Sequence, residues 1–131
     1  MTTRFIITGN QENKTGNPIP YFRQTQQSSR FNPAARRYHD WKDFVRAQFW
    51  LQTAKKLRTD KPYGKAAKGR LEVKIRFRGE AHADPDNIVK GLLDSLFEND
   101  KHIDVSTSHS CGNQAGSIEI LITLTNETSS P

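Results

Sequence analysis

Cysteine is almost absent from this sequence. Cys111 stands alone, which excludes an intramolecular disulfide and any cysteine-based zinc cage. A single thiol suits a reducing, cytoplasmic setting, and its neighbours Ser110 and Gly112 give it no nucleophile signature. Long apolar runs are missing too: no stretch approaches the roughly 20 residues of a membrane span. The start, Met1-Thr2-Thr3-Arg4-Phe5, has neither the apolar stretch nor the cleavage step of a signal peptide. These absences predict a cytoplasmic protein with no membrane partner. Acid is in short supply as well. Twenty lysines and arginines face 14 aspartates and glutamates, for a net charge of +6 and a pI near 9.7. Such a balance favours polyanions, either nucleic acid or an anionic membrane surface. The length of 131 residues suffices for one core and predicts a single domain over 1–131.

The apolar spacing predicts the elements. Phe5, Ile6 and Ile7 form a β-branched run that reads as a short strand over Arg4–Thr8. From 9 to 32 the chain turns polar and basic, too long for a simple turn and therefore a functional or partly disordered loop. Asn32-Pro33 is a helix start, with asparagine as N-cap and proline in the first turn. The helix is expected to reach about Leu57. Tyr38, Trp41, Val45 and Phe49 recur on its core face, with Phe44 and Leu51 widening the stripe and Arg36, Arg37, Lys42 and Arg46 on other faces. A basic, Gly/Pro-punctuated connection follows. Arg70–Arg78 then alternates strictly, as a half-buried strand with one wet, mostly basic face does. A second helix starts at Asp84-Pro85 and ends after Phe97. His102–His109 and Ser117–Thr125 read as two more strands, and 126–131 as a frayed tail. The order β, loop, α, β, α, β, β predicts an α/β (α+β) domain with two main helices packed on a mixed sheet of about four strands.

One segment carries most of the chemical information. In Asp84-Pro85-Asp86-Asn87-Ile88-Val89-Lys90-Gly91-Leu92-Leu93-Asp94, carboxylates crowd the mouth of an amphipathic helix, and Asn99-Asp100 follows its far end. Like charges so gathered repel unless a cation neutralises them. Pro85 stiffens the backbone between Asp84 and Asp86, and the turn after the helix is expected to bring Asp100 back toward the sheet edge. Three oxygen donors with open positions suit Mg²⁺ or Mn²⁺, which keep waters and take phosphate oxygens. Such a metal activates a water and holds a phosphate. Lys90 would balance charge, and Asn87 would tie down a ligand or its turn. The same residues are equally ordinary capping chemistry, followed by a solvated i,i+4 ladder of Asp86, Lys90 and Asp94. Asp94 suits an ion pair as well as catalysis.

The pattern Asp-x-Asp-Asn-x-x-Lys-x-x-x-Asp-x-Leu, here Asp84, Asp86, Asn87, Lys90, Asp94 and Leu96, resembles that of the RusA-like Holliday junction resolvases. The segment Asn99-Asp100-Lys101-His102-Ile103 continues the likeness. Upstream, Pro18-Ile19-Pro20, Arg23, Arg30, Phe31-Asn32-Pro33 and Tyr38 are similar too. The resemblance implies a homodimeric, Mg²⁺- or Mn²⁺-dependent endonuclease that makes paired nicks in four-way DNA junctions. By position it implies Asp84, Asp86 and Asp100 as metal-binding carboxylates and Lys90 as the catalytic lysine. Where the family usually has Asp-Asp this chain has Asn99-Asp100, and Asp104 is the alternative third carboxylate.

Phosphate contacts are then expected from Arg23, Arg30, Arg36 and Arg37 around the long loop and from Arg76 and Arg78 on the strand's polar face. Two other readings stay open: a non-catalytic basic DNA-binding module whose aspartates only cap a helix, and a metal-dependent nuclease for flaps or simple duplex.

Overall fold

The computed structural model describes residues 2–23 and 32–125. Arg30, with the rest of the 24–31 part of the long loop, and the 126–131 tail therefore lie outside the described residues. The expected architecture is present: four strands in one mixed sheet and two helices, in the order β1 (Thr2–Thr8), α1 (Pro33–Ala54), β2 (Gly69–Arg78), α2 (Pro85–Leu96), β3 (Ile103–Gly112) and β4 (Ser117–Leu124).

Across the sheet the strands run β1-β4-β2-β3. β4 pairs antiparallel with both β1 and β2, while β2 and β3 are parallel, in register from Gly69↔Ile103 to Arg78↔Gly112. A parallel pair needs a crossover, and α2 supplies it. Strand alternation sorts the side chains. Phe5, Ile7, Leu71, Val73, Ile75, Phe77, Ile118, Ile120 and Ile122 are buried in one cluster with Tyr38, Trp41, Val45 and Phe49 of α1 and Ile88, Leu92 and Leu96 of α2. Both helices thus cover the same face. The opposite face carries Arg4, Glu72, Lys74, Arg76, Arg78 and Glu119, and neither described helix lies on it.

Several boundaries differ from the sequence expectation, each for a local reason. α1 stops at Ala54 rather than Leu57. Lys55 adopts a left-handed conformation (φ 53°) and its N–H caps the Trp50 carbonyl. β1 begins at Thr2, because Thr2 and Thr3 find partners in Thr123 and Ile122. β3 continues to Gly112 by following β2 to its end. Leu51 does not join the core stripe and is 42% exposed, since it lies far around α1 from Phe49. Val105 is 41% exposed although it falls on the core-facing side: the outer edge strand has little above it there.

Arg46 is the largest departure. The spacing puts it on a polar face, yet it is 9% exposed. The connection after α1 folds over it. Its guanidinium donates to the Thr59 carbonyl, to the Ser95 carbonyl at 3.5 Å and to the Asp43 carboxylate at 2.8 Å. A buried charge held by three acceptors ties the connection to the end of α2. The Trp50 indole adds a bond to the Asp60 carbonyl at 2.9 Å, and Tyr63 stacks on Phe97 at 5.0 Å.

The first part of the long loop is built by asparagines. Asn10 Oδ1 accepts from the N–H groups of Glu12 and Asn13, both at 2.9 Å, and its amide donates to the Asn17 carbonyl at 2.7 Å. Asn17 in turn clamps the backbone N–H (2.6 Å) and carbonyl (3.1 Å) of Arg78, continuing the pairing of β2 beyond the first residue of β4.

Trp41→Ala is expected to lower stability by about 3–5 kcal/mol, as emptying a fully buried aromatic site does, whereas Leu51→Ala should stay within about 0.5 kcal/mol. Urea denaturation followed by circular dichroism measures both. Equal effects would contradict this placement of the core face.

Candidate active site

The acidic motif forms as its capping chemistry dictates. Asp84 is the N-cap of α2, with extended backbone, and its Oδ1 accepts from the Asp86 N–H at 3.0 Å. Pro85 occupies the first turn, and Asp86 lies there too, where unpaired N–H groups favour negative charge. Asp84 and Asp86 are both exposed. They follow the carboxyl end of β2, beyond Gly79, whose φ of 77° and N–H bond to the Gly112 carbonyl (2.8 Å) turn the chain. In open sheets with parallel strands that end is where ligands bind.

The ordered start of the long loop lies across α2. Ile19 is buried, and the Tyr21 N–H donates to the Asn87 carbonyl at 3.0 Å. Gly91 allows this approach, since a Cβ there would meet Tyr38 Cε1 at 3.3 Å and the Tyr21 nitrogen at 3.7 Å. The Tyr21 ring meets Tyr38 edge-on at 5.4 Å, and the Lys90 ammonium sits 4.5 Å from the Tyr21 ring centre. A cation over a ring is held electrostatically while its N–H groups stay available to an anion. Asn87 therefore contributes through its backbone, anchoring the loop. Tyr21 is the participant that spacing alone did not single out; its signal was an aromatic inside the basic loop.

Asp94 has a different task. Its Oδ2 accepts from the Tyr38 hydroxyl at 2.8 Å and from Lys42 at 3.2 Å, and Lys61 lies 3.9 Å from Oδ1. Burial raises its pKa, but the Tyr38 hydrogen bond and the charges of Lys42 and Lys61 together take the carboxyl below its ordinary value. Burial first, and the bond to Asp94 second, push the Tyr38 hydroxyl well above the ordinary tyrosine range. Asp94 thus joins α1 to α2. In place of an i,i+4 ladder, these side chains make contacts to other segments, with Lys90 over Tyr21 of the loop and Asp94 on Tyr38 and Lys42 of α1.

Asp100 follows the far end of α2. Its carbonyl accepts from the Ile103 N–H at 3.1 Å in the turn that starts β3. With Tyr21, Lys61, Lys90 and Asp94 it lines a cleft of about 270 Å³. Asp84 and Asp86 do not line that cleft: α2 is 12 residues long, about 18 Å of helix. Among the described residues no three histidine, cysteine or acidic side chains gather closely enough to hold a metal ion. One chain therefore presents a pair of carboxylates at one end of α2 and a third at the other. Asp104, the alternative third carboxylate, is exposed on β3 opposite Arg70, near the same amino end of the strand as Asp100.

The expected phosphate contacts are dispersed. Arg23 and Arg36 are exposed. Arg37 is engaged by Glu12 at 2.9 Å. Arg76 and Arg78 are exposed on the helix-free sheet face, where Arg76 bonds Gln114 and joins Lys74, Ser108 and Ser110 around a hollow of about 530 Å³. His82 packs edge-on against Phe77 at 5.5 Å. No helix among the described residues is long and apolar enough to cross a membrane. No family model matches the chain, and no curated protein matches it.

Asp94→Asn is expected to cost about 1 kcal/mol at pH 7, the worth of a charged hydrogen-bond acceptor discounted for solvent screening of a partly exposed group. The folded carboxyl titrates below its ordinary value, so this stabilisation is present above the ordinary carboxylate range and is lost as pH falls through the lowered value. Urea denaturation of both proteins at neutral and acid pH should show the difference shrinking in acid. A difference that grows there would contradict the assignment.

Proposed function

We propose that the chain is a metal-dependent endodeoxyribonuclease acting on branched DNA, with four-way junctions as its substrate. The observation that carries this reading is the presentation of Asp84 and Asp86. Two exposed carboxylates, fixed around a proline, stand at the carboxyl end of a parallel strand in a chain of net charge +6. The likeness of the Asp84–Leu96 pattern and of Asn99–Ile103 to RusA-like resolvases agrees with it. A pure capping role accounts for Asp84 and for Asp86 in the first turn, and leaves the Lys90 ammonium over Tyr21 without an anionic partner among the described residues.

The donor set suits Mg²⁺ or Mn²⁺. Asp84 commits one oxygen to the cap and keeps the other, and the Asp86 carboxylate faces solvent. Bound there, the ion would supply a polarised water and offset phosphate charge. The chain's own residues do the rest. Lys90, restrained over Tyr21, neutralises charge on the phosphate. Asn87 holds the loop that carries Tyr21 and Arg23. Arg76 and Arg78 bind the backbone of an arm.

The third carboxylate comes from a second copy. β1's outer edge is engaged at Ile6 by Gln52, whose side chain accepts from the Ile6 N–H at 3.0 Å and donates to its carbonyl at 2.6 Å. β3 pairs with β2 on one side, and no described strand takes its other side. Two β3 strands joined antiparallel about a two-fold axis would run in opposite directions. The Asp100 end of the second copy then lies beside the Gly112 end of the first, next to Arg78 and the connection leading to Asp84. Such a homodimer has two equivalent sites, as paired nicks require.

A synthetic four-way junction incubated with Mg²⁺ should be nicked, Asp86→Asn should abolish nicking, and Lys90→Ala should fold normally but lose it. Tight binding without cleavage at any divalent metal would leave a binding module. Equal cleavage of linear duplex would remove the junction preference. Asp86→Asn and Asp100→Asn, each inactive alone, should regain single nicks when mixed and refolded together. A mixture that stays inactive sinks the shared site.

A further inference from the structure

The connection between α1 and β2 carries a local charge surplus nearly equal to the molecule's whole net charge. Residues 55–68 include Lys55, Lys56, Arg58, Lys61, Lys65 and Lys68 against one acid, Asp60, a surplus of five in a chain whose total is +6. All six basic residues are exposed. Like charges this dense repel, and a segment of this composition would ordinarily spread into solvent.

Here it is anchored instead at many points. Arg46 and Trp50 bind the carbonyls of Thr59 and Asp60. The Tyr63 N–H donates to the Leu96 carbonyl at 3.1 Å, and its own carbonyl accepts from the Glu98 N–H at 3.0 Å. The Lys68 carbonyl accepts from the Thr125 N–H at 2.8 Å. Arg58 is neutralised internally. It forms two bonds to Asp60, at 2.8 and 2.6 Å, and stacks 4.2 Å over Trp50. Lys55, Lys56, Lys65 and Lys68 remain as the outward cations, while Lys61 lies 3.9 Å from Asp94. Lys61 reaches the cleft that Lys90 and Asp100 also line, which places the basic segment against that cleft.

Resting on the nuclease reading, we infer that residues 55–68 form a preordered basic ridge that binds the DNA sugar–phosphate backbone as it leaves the cleft. Anchoring matters because a held loop loses little conformational freedom on binding. Lysines are suited to this role: compact charges on flexible stems neutralise phosphates without reading bases. The ridge contributes affinity and salt dependence, and no chemistry.

The test uses the full chain and a fluorescent four-way junction in EDTA, with anisotropy measured across a salt series. Combined Lys56→Gln, Lys65→Gln and Lys68→Gln should weaken binding at least about tenfold and lower the slope of log K against log salt by about two to three, near one for each phosphate no longer neutralised. The same positions changed to arginine should keep the wild-type slope. An unchanged thermal midpoint, and nicking retained at saturating protein once Mg²⁺ is supplied, complete the expected pattern. Wild-type affinity and slope in the triple glutamine variant would overturn the ridge while leaving the nuclease reading in place. A wild-type chain that binds no junction removes both. Vesicles of phosphatidylserine and phosphatidylcholine provide the other polyanion: loss of vesicle binding with DNA binding intact would assign the ridge to a membrane surface and overturn the inference.

Discussion

The parallel pairing of β2 with β3 constrains everything else in this fold. A parallel neighbour cannot be reached by a tight turn, so the chain must cross over the sheet before β3 can start. That crossover is α2. Its N-terminus consequently lies at the carboxyl end of β2, and its C-terminus leads into the amino end of β3. Asp84 and Asp86 go to one end and Asp100 to the other. β3 ends the strand order β1-β4-β2-β3, and both helices pack on one face of the sheet. Asp84 and Asp86 accordingly do not line the cleft that Asp100 lines.

A second layer of organisation fixes the helices and loops to this frame through polar groups at the margins of the apolar core. Asp94 joins α2 to Tyr38 and Lys42 of α1. Arg46 joins α1 to the connection and to the end of α2. Gln52 engages the β1 edge at Ile6, and Asn17 closes the end of β2. Each satisfies backbone or buried groups that apolar packing alone would leave unpaired. These bonds leave Lys90 and the lysines of the connection as outward-facing cations on a rigid base, an arrangement suited to a polyanionic partner.

Much of the fold was legible in sequence because it follows from local periodicity. Alternation at 71–77 and 118–122 marks buried strand faces, and the spacing of Tyr38, Trp41, Val45 and Phe49 marks a core helix face. Asp84-Pro85 marks a helix start through capping and a fixed φ. Periodicity failed where a side chain's environment came from a distant segment. Arg46 reads as a surface charge until the connection folds over it. Val105 shares the core-facing side of β3 yet stays exposed, because β3 lies at the edge of the sheet. Leu57 reads as helical until Lys55 turns left-handed.

The candidate site divides in the same way. The residues proposed to carry chemistry (Asp84, Asp86, Lys90, Asp100) could be singled out by their types and spacing, since charge repulsion and capping act over a few residues. How those residues stand to one another could not, because it depends on strand order and direction. Sequence by itself determined the elements, the basic balance and the acidic motif, all products of interactions between near neighbours along the chain. Only the tertiary structure decided that Asp94 serves as a helix tie, that Lys90 rests on Tyr21 and that Asp100 shares a cleft with Lys90 and not with Asp84, for these rest on contacts between segments that the chain brings together by folding.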